Sequence, residues 1–112
     1  MLYRETVGAL TLNLISQLMD DAIFNNFYLG GSASLSLQIG HRKPKDIDLF
    51  FSTTFDHEQV RMRLEDRYNA KIMWSTKLSM GGYIDKIKYD ILPDCHPALK
   101  PVCEIDGIRL IS

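Results

Sequence analysis

A chain of 112 residues fits one domain of ordinary size, and its hydrophobic fraction of 46% separates it from disordered chains. Thirteen basic and fourteen acidic side chains give a net charge of −1, which excludes a global positive field for nucleic acid. Any contact with RNA or DNA must therefore come from a local patch. Two cysteines are too few for a disulfide scaffold, and the first residues lack the pattern of a secretory signal.

The longest uncharged segment, residues 22–40, is nearly long enough to span a bilayer. It contains two asparagines, paired glycines, three serines and a glutamine, all of which are unfavourable in lipid. We therefore expect a soluble, cytoplasmic protein that makes no contact with a membrane.

The first part of the chain predicts a helix followed by a strand. Apolar residues recur at helical spacing over residues 6–24, with polar residues on the opposite stripe. This pattern predicts an amphipathic helix that is ended by two asparagines. Residues 27–29 then predict a short aromatic strand, which stops at Gly30-Gly31.

A second helix and a basic loop follow. Residues 32–39 are uncharged and predict a short buried helix, with Gly40 as its left-handed end. Residues 41–45 predict a basic loop, because Pro44 cannot continue a helix.

The middle of the chain predicts a strand and a capped helix. Residues 46–52 alternate between polar and apolar positions, which is typical of a strand. Asp56 can cap the next helix, and Gln59 three positions later is the pattern of a capping box. The apolar side of this helix is formed by Val60, Leu64 and Tyr68.

The last part of the chain predicts strands and turns. Residues 71–78 predict one strand, and Gly81-Gly82 predict a turn into a second strand over residues 83–92. Asp106-Gly107, between two short apolar segments, is a strong hairpin signal. The order of helices and strands predicts an α/β (α+β) sheet domain.

Two carboxylates spaced by one residue, Asp46 and Asp48, carry the most chemical information. On a strand, their alternation directs both side chains to one face. Carboxylates that lie so close repel each other unless a cation lies between them, and a divalent metal is the usual cation. The upstream turn Gly30-Gly31 could present backbone N–H groups to a phosphate beside that metal.

A third carboxylate, Asp90, lies on a later predicted strand, on the same face as Lys86 and Lys88. If the two strands pair, three carboxylates converge, because neighbouring strands lie about 4.8 Å apart. Such a group matches the requirement of two-metal phosphoryl or nucleotidyl transfer. Taken singly, each aspartate is most simply a solvated charge, and it is their combination with the glycine turn that favours a metal site.

These residues resemble a known family. Gly31-Ser32 followed by Asp46-x-Asp48 is similar to the first motif of the DNA polymerase beta-like nucleotidyltransferase superfamily. Lys86-x-x-x-Asp90 resembles the second motif of its AbiEii/AbiGii toxin branch, and the run GGSASLSLQIGHRKPKDIDLFF resembles that branch in particular. The resemblance spans residues 25–92 and implies a nucleotidyltransferase-like mixed β-sheet flanked by helices.

The resemblance also implies a role for each matching residue. Asp46, Asp48 and Asp90 would bind Mg²⁺ or Mn²⁺, with Asp90 as a metal ligand or as the base for the attacking hydroxyl. Lys86 would neutralise phosphate charge as a catalytic residue. The residues expected to bind the nucleotide phosphates are Gly30, Gly31, Ser32 and, in the basic loop, Arg42.

The implied reaction is the transfer of a nucleoside monophosphate from a nucleoside triphosphate to an acceptor hydroxyl. Members of the family act in toxin–antitoxin and phage-defence systems, and some modify the 3′ end of tRNA. A tRNA acceptor and a cognate antitoxin are therefore the expected partners. Family members continue into a helical C-terminal region, so we expect residues 1–112 to form a single minimal catalytic domain without that region.

Two other functions stay open on the residues alone. One is a non-catalytic nucleotide-binding or interaction module on the same fold. The other is an enzyme that modifies a small molecule such as an aminoglycoside, although the basic loop favours a polyanionic acceptor over a cationic drug. Trp74 and Tyr83 could stack on a base, but an aromatic side chain on a sheet more often serves packing.

Overall fold

The computed structural model describes residues 8–30, 34, 37–38, 46–94 and 102–111. Within these residues, seven strands form one sheet in the order β3-β4-β5-β2-β1-β7-β6. The strands are β1 (Phe27–Gly30), β2 (Asp46–Phe51), β3 (Lys71–Ser75), β4 (Met80–Ile84), β5 (Ile87–Pro93), β6 (Val102–Ile105) and β7 (Ile108–Ile111). Two α-helices that lie wholly within the described residues accompany them, α1 (Ala9–Asp20) and α2 (His57–Tyr68).

The sheet is mixed. Strand β2 pairs antiparallel with β1 and parallel with β5, and β1 pairs parallel with β7. The remaining pairs, β3 with β4, β4 with β5 and β6 with β7, are antiparallel. The predicted α+β architecture, a mixed sheet flanked by helices, is confirmed, and β2 and β5 lie side by side near its centre.

One face of the sheet forms the hydrophobic core with the two helices. Along β2 the core face carries Ile47, Leu49 and Phe51, which are all buried. The residues between them are only partly buried and lie on the opposite face. The helices complete the same core with Leu14, Ile15, Leu18 and Met19 of α1 and Val60, Leu64 and Tyr68 of α2. The opposite face is therefore the one that presents polar side chains for chemistry.

Helix α1 ends earlier than its apolar pattern predicts. The predicted helix extends to residue 24, but α1 ends at Asp20 and a 3₁₀ turn, Ala22–Phe24, follows. The Asp21 carboxylate accepts a hydrogen bond from the Ile23 N–H at 3.2 Å. This local bond competes with continuation of the helix, as aspartate side chains commonly do.

Helix α2 begins where its sequence predicts. The Asp56 side chain accepts a hydrogen bond from the Gln59 N–H at 3.0 Å, which confirms Asp56 as the N-cap. The helix ends at Asn69, whose φ of 54° is left-handed. The three positions predicted to form its apolar side, Val60, Leu64 and Tyr68, are buried.

The predicted turn at Gly81-Gly82 is wrong, because both glycines lie inside β4. The chain turns earlier, at residues 76–79, where the Thr76 N–H donates to the Ser79 carbonyl at 2.8 Å. It turns again at Asp85, so the single strand predicted over residues 83–92 is divided between β4 and β5. Gly82 is needed for a close approach, since a Cβ there would lie 1.8 Å from the Lys71 carbonyl oxygen.

The predicted hairpin at Asp106-Gly107 is confirmed. Both residues have positive φ, 54° and 81°, as a two-residue turn between antiparallel strands requires. The predicted loop at residues 41–45 and the helix end at Gly40 lie outside the described residues, as does most of the helix predicted over residues 32–39. Among the described residues, no helix is long and apolar enough to cross a membrane.

Candidate active site

Strands β2 and β5 bring three carboxylates together on the polar face of the sheet. Their parallel register places Asp48 opposite Asp90, and Asp46 opposite Lys88. One carboxylate oxygen from each aspartate lies within 4.8 Å of the other two, and all three side chains are partly buried. The convergence expected from the alternation of two separate strands is thus present, and the cluster can hold a divalent metal ion.

The charge of this cluster is incompletely compensated. The pKa of Asp48 is raised, first by burial and then by the neighbouring charges of Asp90 and Asp46, while Lys88 lowers it in part. The Lys88 ammonium lies 3.9 Å from Asp46 and 4.0 Å from Asp90. One lysine beside three carboxylates leaves an excess of negative charge on oxygen ligands, which is the donor set that hard divalent cations prefer.

The glycine end of the site lies on β1. Gly30 is the last residue of that strand and is opposite Asp48 in the register of β1 with β2. Gly31, Ser32 and Arg42, the other predicted phosphate-binding residues, lie outside the described residues. The structure therefore places one of the four predicted phosphate-binding residues directly beside the carboxylates.

The two lysines that precede Asp90 take different positions. Lys86 lies in the turn between β4 and β5 and lines a groove of about 330 Å³ with Lys71 and Tyr83. Lys88 lies within β5, on the face of Asp90, and is the lysine that contacts the cluster. The family motif marks Lys86, so the sequence assigned no role to Lys88, although it placed this lysine on the same face as Asp90. Its place two residues before Asp90 on a strand was the signal that could have found it.

The opposite end of the site is formed by Gly81 and Trp74. Gly81 pairs with Asp90, and Trp74 on β3 pairs with Gly81. A Cβ on Gly81 would lie 2.5 Å from the Asp90 Oδ1 and 2.4 Å from the Trp74 Nε1. The indole and the carboxylate therefore lie side by side above a position where only glycine fits.

The sequence from within α1 to the start of β3 matches a known family. A profile of the family described as Nucleotidyl transferase AbiEii toxin, Type IV TA system, matches residues 13–72, which is more than half of the chain. The chain belongs to the AbiEii family. The matched segment includes β1 and β2, and hence Gly30, Asp46 and Asp48.

A solved structure supports the fold of this AbiEii-family domain. It is the crystal structure of ANT(2")-Ia in complex with adenylyl-2"-tobramycin, with a TM-score of 0.60 and 21% sequence identity. The likeness covers 93% of this chain and 70% of that chain, and at this identity it shows a shared fold. No curated protein matches the chain.

Family membership establishes the class of enzyme. This AbiEii-family chain is a nucleotidyltransferase, which uses a nucleoside triphosphate as its substrate and belongs to a family of type IV toxin–antitoxin systems. Enzymes of this fold generally depend on a divalent metal, and the three carboxylates form a cluster that could hold such an ion. The family resemblance inferred from the motifs is confirmed.

Proposed function

We propose that this AbiEii-family domain transfers a nucleoside monophosphate to the 3′-terminal hydroxyl of an RNA such as tRNA. The observation that carries the proposal is the cluster of Asp46, Asp48 and Asp90, whose oxygens lie within 4.8 Å of one another. In a family of nucleotidyltransferases, such a cluster on the open face of the sheet is the natural place for the reaction.

Asp46 and Asp48 hold Mg²⁺ or Mn²⁺ in this proposal, and Asp90 shares in the same site. The raised pKa of Asp48 supports the assignment, because the negative charge there lacks compensation from the chain itself. When bound, the ion supplies positive charge to the triphosphate and to the departing pyrophosphate.

The residues at the two ends of the cluster serve proton transfer and phosphate binding. Asp90 lies on the side of the acceptor and takes the proton of the attacking hydroxyl. The hydroxyl oxygen forms a bond to the α-phosphorus, the bond from that phosphorus to the bridging oxygen breaks, and pyrophosphate leaves. Gly30, with Gly31 and Ser32, holds the phosphates through backbone N–H groups.

Cationic side chains complete the phosphate site. Lys88 is in contact with Asp46 and Asp90, so we assign to it the neutralising role that the family motif suggests for Lys86. Arg42, which lies outside the described residues, would add a planar guanidinium suited to a triphosphate. Lys86 itself serves the acceptor, as its position in the groove beyond β5 supports.

The charge of that groove favours an RNA acceptor over a cationic small molecule. Lys71 and Lys86 line it together with Asp85, so its lysines outnumber its carboxylate. A polyanionic strand is attracted to such a surface and a polycation is repelled. Transfer to a small molecule keeps support from the shared fold with ANT(2")-Ia, whose structure contains adenylyl-2"-tobramycin.

We further propose a cognate antitoxin as partner and a cytoplasmic location, as the type IV toxin family suggests.

A transfer assay tests this function. The wild-type chain is incubated with each α-³²P-labelled nucleoside triphosphate, Mg²⁺ and total tRNA, and in parallel with tobramycin in place of tRNA. We expect label on RNA that is lost with EDTA and with the double variant Asp46→Asn/Asp48→Asn. Asp66→Asn, an exposed carboxylate on α2, is the matched control and should label RNA as the wild type does. Label on tobramycin alone would contradict the RNA acceptor, and nucleotide binding without any transfer would contradict catalysis.

A further inference from the structure

We infer that Trp74 is a stacking platform for the acceptor, on which the base of the RNA 3′-terminal nucleotide lies while its ribose hydroxyl reaches Asp90. This inference rests on the proposed function, because it concerns how the acceptor of that reaction is held. It adds an acceptor-binding residue that lies outside the segment matched to the family.

A β-bulge turns Trp74 to the face of the carboxylates. Strand β3 pairs Ile72 with Gly82 and Trp74 with Gly81, so Met73 is the extra residue. In a regular strand Trp74 would share the face of Ile72, which packs against the hydrophobic core. Bulges of this kind often re-aim a side chain beside an active site.

Gly81 lets the indole reach the site. Any Cβ at this position would meet both the indole nitrogen and the Asp90 carboxylate at about 2.5 Å or less. Because glycine has no side chain, the indole lies across β4 with its edge beside Asp90. The bulge and the glycine are two separate features of the backbone, and both of them place the same aromatic ring beside the same carboxylate.

The order of residues across the sheet assigns Trp74 to the acceptor. One register row runs Gly30, Asp48, Asp90, Gly81 and Trp74. Since the phosphates of the donor nucleotide are held at the Gly30 end, the indole lies on the far side of the carboxylates. Two strand spacings, about 10 Å, separate the backbones of β3 and β5. The indole spans this distance, so a nucleoside stacked on its exposed part would have its ribose next to the Asp90 carboxylate.

The surroundings suit a nucleobase followed by phosphates. Trp74 is 37% exposed, so the residue is accessible to a ligand. Lys71 and Tyr83 lie on the same face of the sheet and line a groove with the turn residue Lys86, where the strand that leads to the 3′ end would pass. An aromatic platform combined with lysines that follow the backbone is the usual arrangement for single-stranded nucleic acid.

The fluorescence of the wild-type chain provides the first test, because Trp74 is its single tryptophan. The probes are a short single-stranded oligoribonucleotide and the same oligonucleotide with an abasic 3′-terminal residue. Both keep every phosphate and the terminal hydroxyl. In Mg²⁺ with a non-hydrolysable nucleoside triphosphate analogue, we expect the intact probe to quench the tryptophan. The abasic probe should bind more weakly by roughly 5- to 150-fold, the range for loss of one base–aromatic stack.

Variants provide the second test. Trp74→Leu should raise the KM for RNA by a similar factor and leave the Kd of the Mg²⁺-bound triphosphate analogue unchanged. Trp74→Phe should restore most of the RNA affinity, because it keeps an aromatic face. Leu78→Ala removes another exposed apolar side chain from the same β3–β4 hairpin and should change neither constant.

The possible results separate this inference from the function on which it rests. A wild-type chain that labels RNA but binds the intact and abasic probes equally would overturn the platform alone. A wild-type chain that binds no Mg²⁺-bound nucleotide would overturn the proposed function and the platform with it. The comparison of the two probes decides the matter even if Trp74→Leu fails to fold, since it uses only the wild-type chain.

Discussion

In the metal-free site, the negative charge of Asp48 is disfavoured by burial and by repulsion from the neighbouring carboxylates. Its pKa is raised because the side chain is partly buried and because Asp90 and Asp46 lie beside it. Lys88 relieves only part of this repulsion. A divalent cation would neutralise this repulsion. Without the cation, the site lowers the stability of the fold, as functional sites commonly do.

Replacing this one charge should stabilise the metal-free fold. We expect Asp48→Asn to raise the free energy of unfolding by up to about 1 kcal/mol, the scale of a single partly exposed charge interaction. Urea denaturation in EDTA at neutral pH measures it. The exposed control Asp66→Asn should leave the free energy of unfolding unchanged. A less stable Asp48→Asn variant would show that the charge is compensated.

The same carboxyl predicts a dependence on pH. Its pKa in the folded chain lies above the ordinary value of about 4 that holds in the unfolded chain. Between these two values the folded state binds more protons, so the contribution of Asp48 to stability falls as pH rises through that window. In EDTA, the stability advantage of Asp48→Asn over wild type should therefore grow from about pH 4 upwards. An advantage that stays constant with pH would contradict this account.

Lys88 competes with a metal for the carboxylates. Lys88→Met removes the ammonium that lies 3.9 Å from Asp46, so we expect the affinity for Mn²⁺ without nucleotide to rise by roughly two- to fivefold, as the loss of one exposed ion pair allows. The rate of nucleotidyl transfer should fall, because the neutralising cation is gone. Calorimetry and the transfer assay measure the two effects, and Lys77→Met, an exposed lysine of the β3–β4 turn, is the control. Weaker Mn²⁺ binding by Lys88→Met would mean that the lysine supports the metal.

At the scale of elements, local patterns were predictable and long-range ones were not. Strand β2 and helix α2 were predictable because each is determined by a few adjacent residues. These are the alternating polar and apolar residues of β2 and the N-cap of α2. Gly81 was predicted to be a turn residue. Glycine is required there because the Trp74 indole and the Asp90 carboxylate, which belong to two other strands, leave no room for a Cβ. The bulge at Met73 likewise depends on pairing that no single segment reveals.

The candidate site shows the same division. The convergence of Asp46, Asp48 and Asp90 follows from alternation along two strands and from the assumption that these strands pair, so the sequence alone predicts it. The choice between Lys86 and Lys88 needed the start of β5, which lies between them at Ile87. A boundary shift of one residue decides whether a side chain lies on a strand face or in a turn.

The junction between α1 and α2 depends on a buried carboxylate. The Asp21 side chain accepts hydrogen bonds from the Ile23 N–H and, at 2.9 Å, from the Tyr68 hydroxyl, and the Arg63 guanidinium lies 3.7 Å away. Burial and this bond to Asp21 raise the pKa of Tyr68. Three parts of the chain are thus held by one group that is 4% exposed.

Removing that group should destabilise the fold and spare the site. We expect Asp21→Ala to lower the free energy of unfolding by about 1–3 kcal/mol. The partly buried Ile23 N–H loses its acceptor, and the Tyr68 hydroxyl keeps only its longer bond to the Gln17 carbonyl, at 3.3 Å. Affinity for Mn²⁺ in the folded variant should equal that of the wild type. Denaturation and calorimetry check the two statements, and Asp66→Ala on the surface of α2 is the control. A decrease in the free energy of unfolding of less than about 0.5 kcal/mol would show that the Asp21 network contributes no more than an ordinary surface contact.

At the scale of the whole molecule, the sheet separates stability from chemistry. Its apolar face packs against α1 and α2, and its polar face holds the carboxylates on two central strands. Because β2 and β5 are each bordered by strands on both sides, the aspartates are fixed in a rigid part of the fold. Donor and acceptor can then approach from opposite ends of one register row, from Gly30 and from Trp74.

The divalent metal site proposed for this nucleotidyltransferase domain consists of Asp46, Asp48 and Asp90. Its most direct test is a calorimetric titration of the metal-free chain with Mn²⁺, with a non-hydrolysable nucleoside triphosphate analogue present. The expected result is saturable binding by the wild type and by Asp66→Asn, and no binding by Asp46→Asn/Asp48→Asn. Circular dichroism should show that the double variant is folded. A folded double variant that binds Mn²⁺ as tightly as the wild type would contradict this assignment.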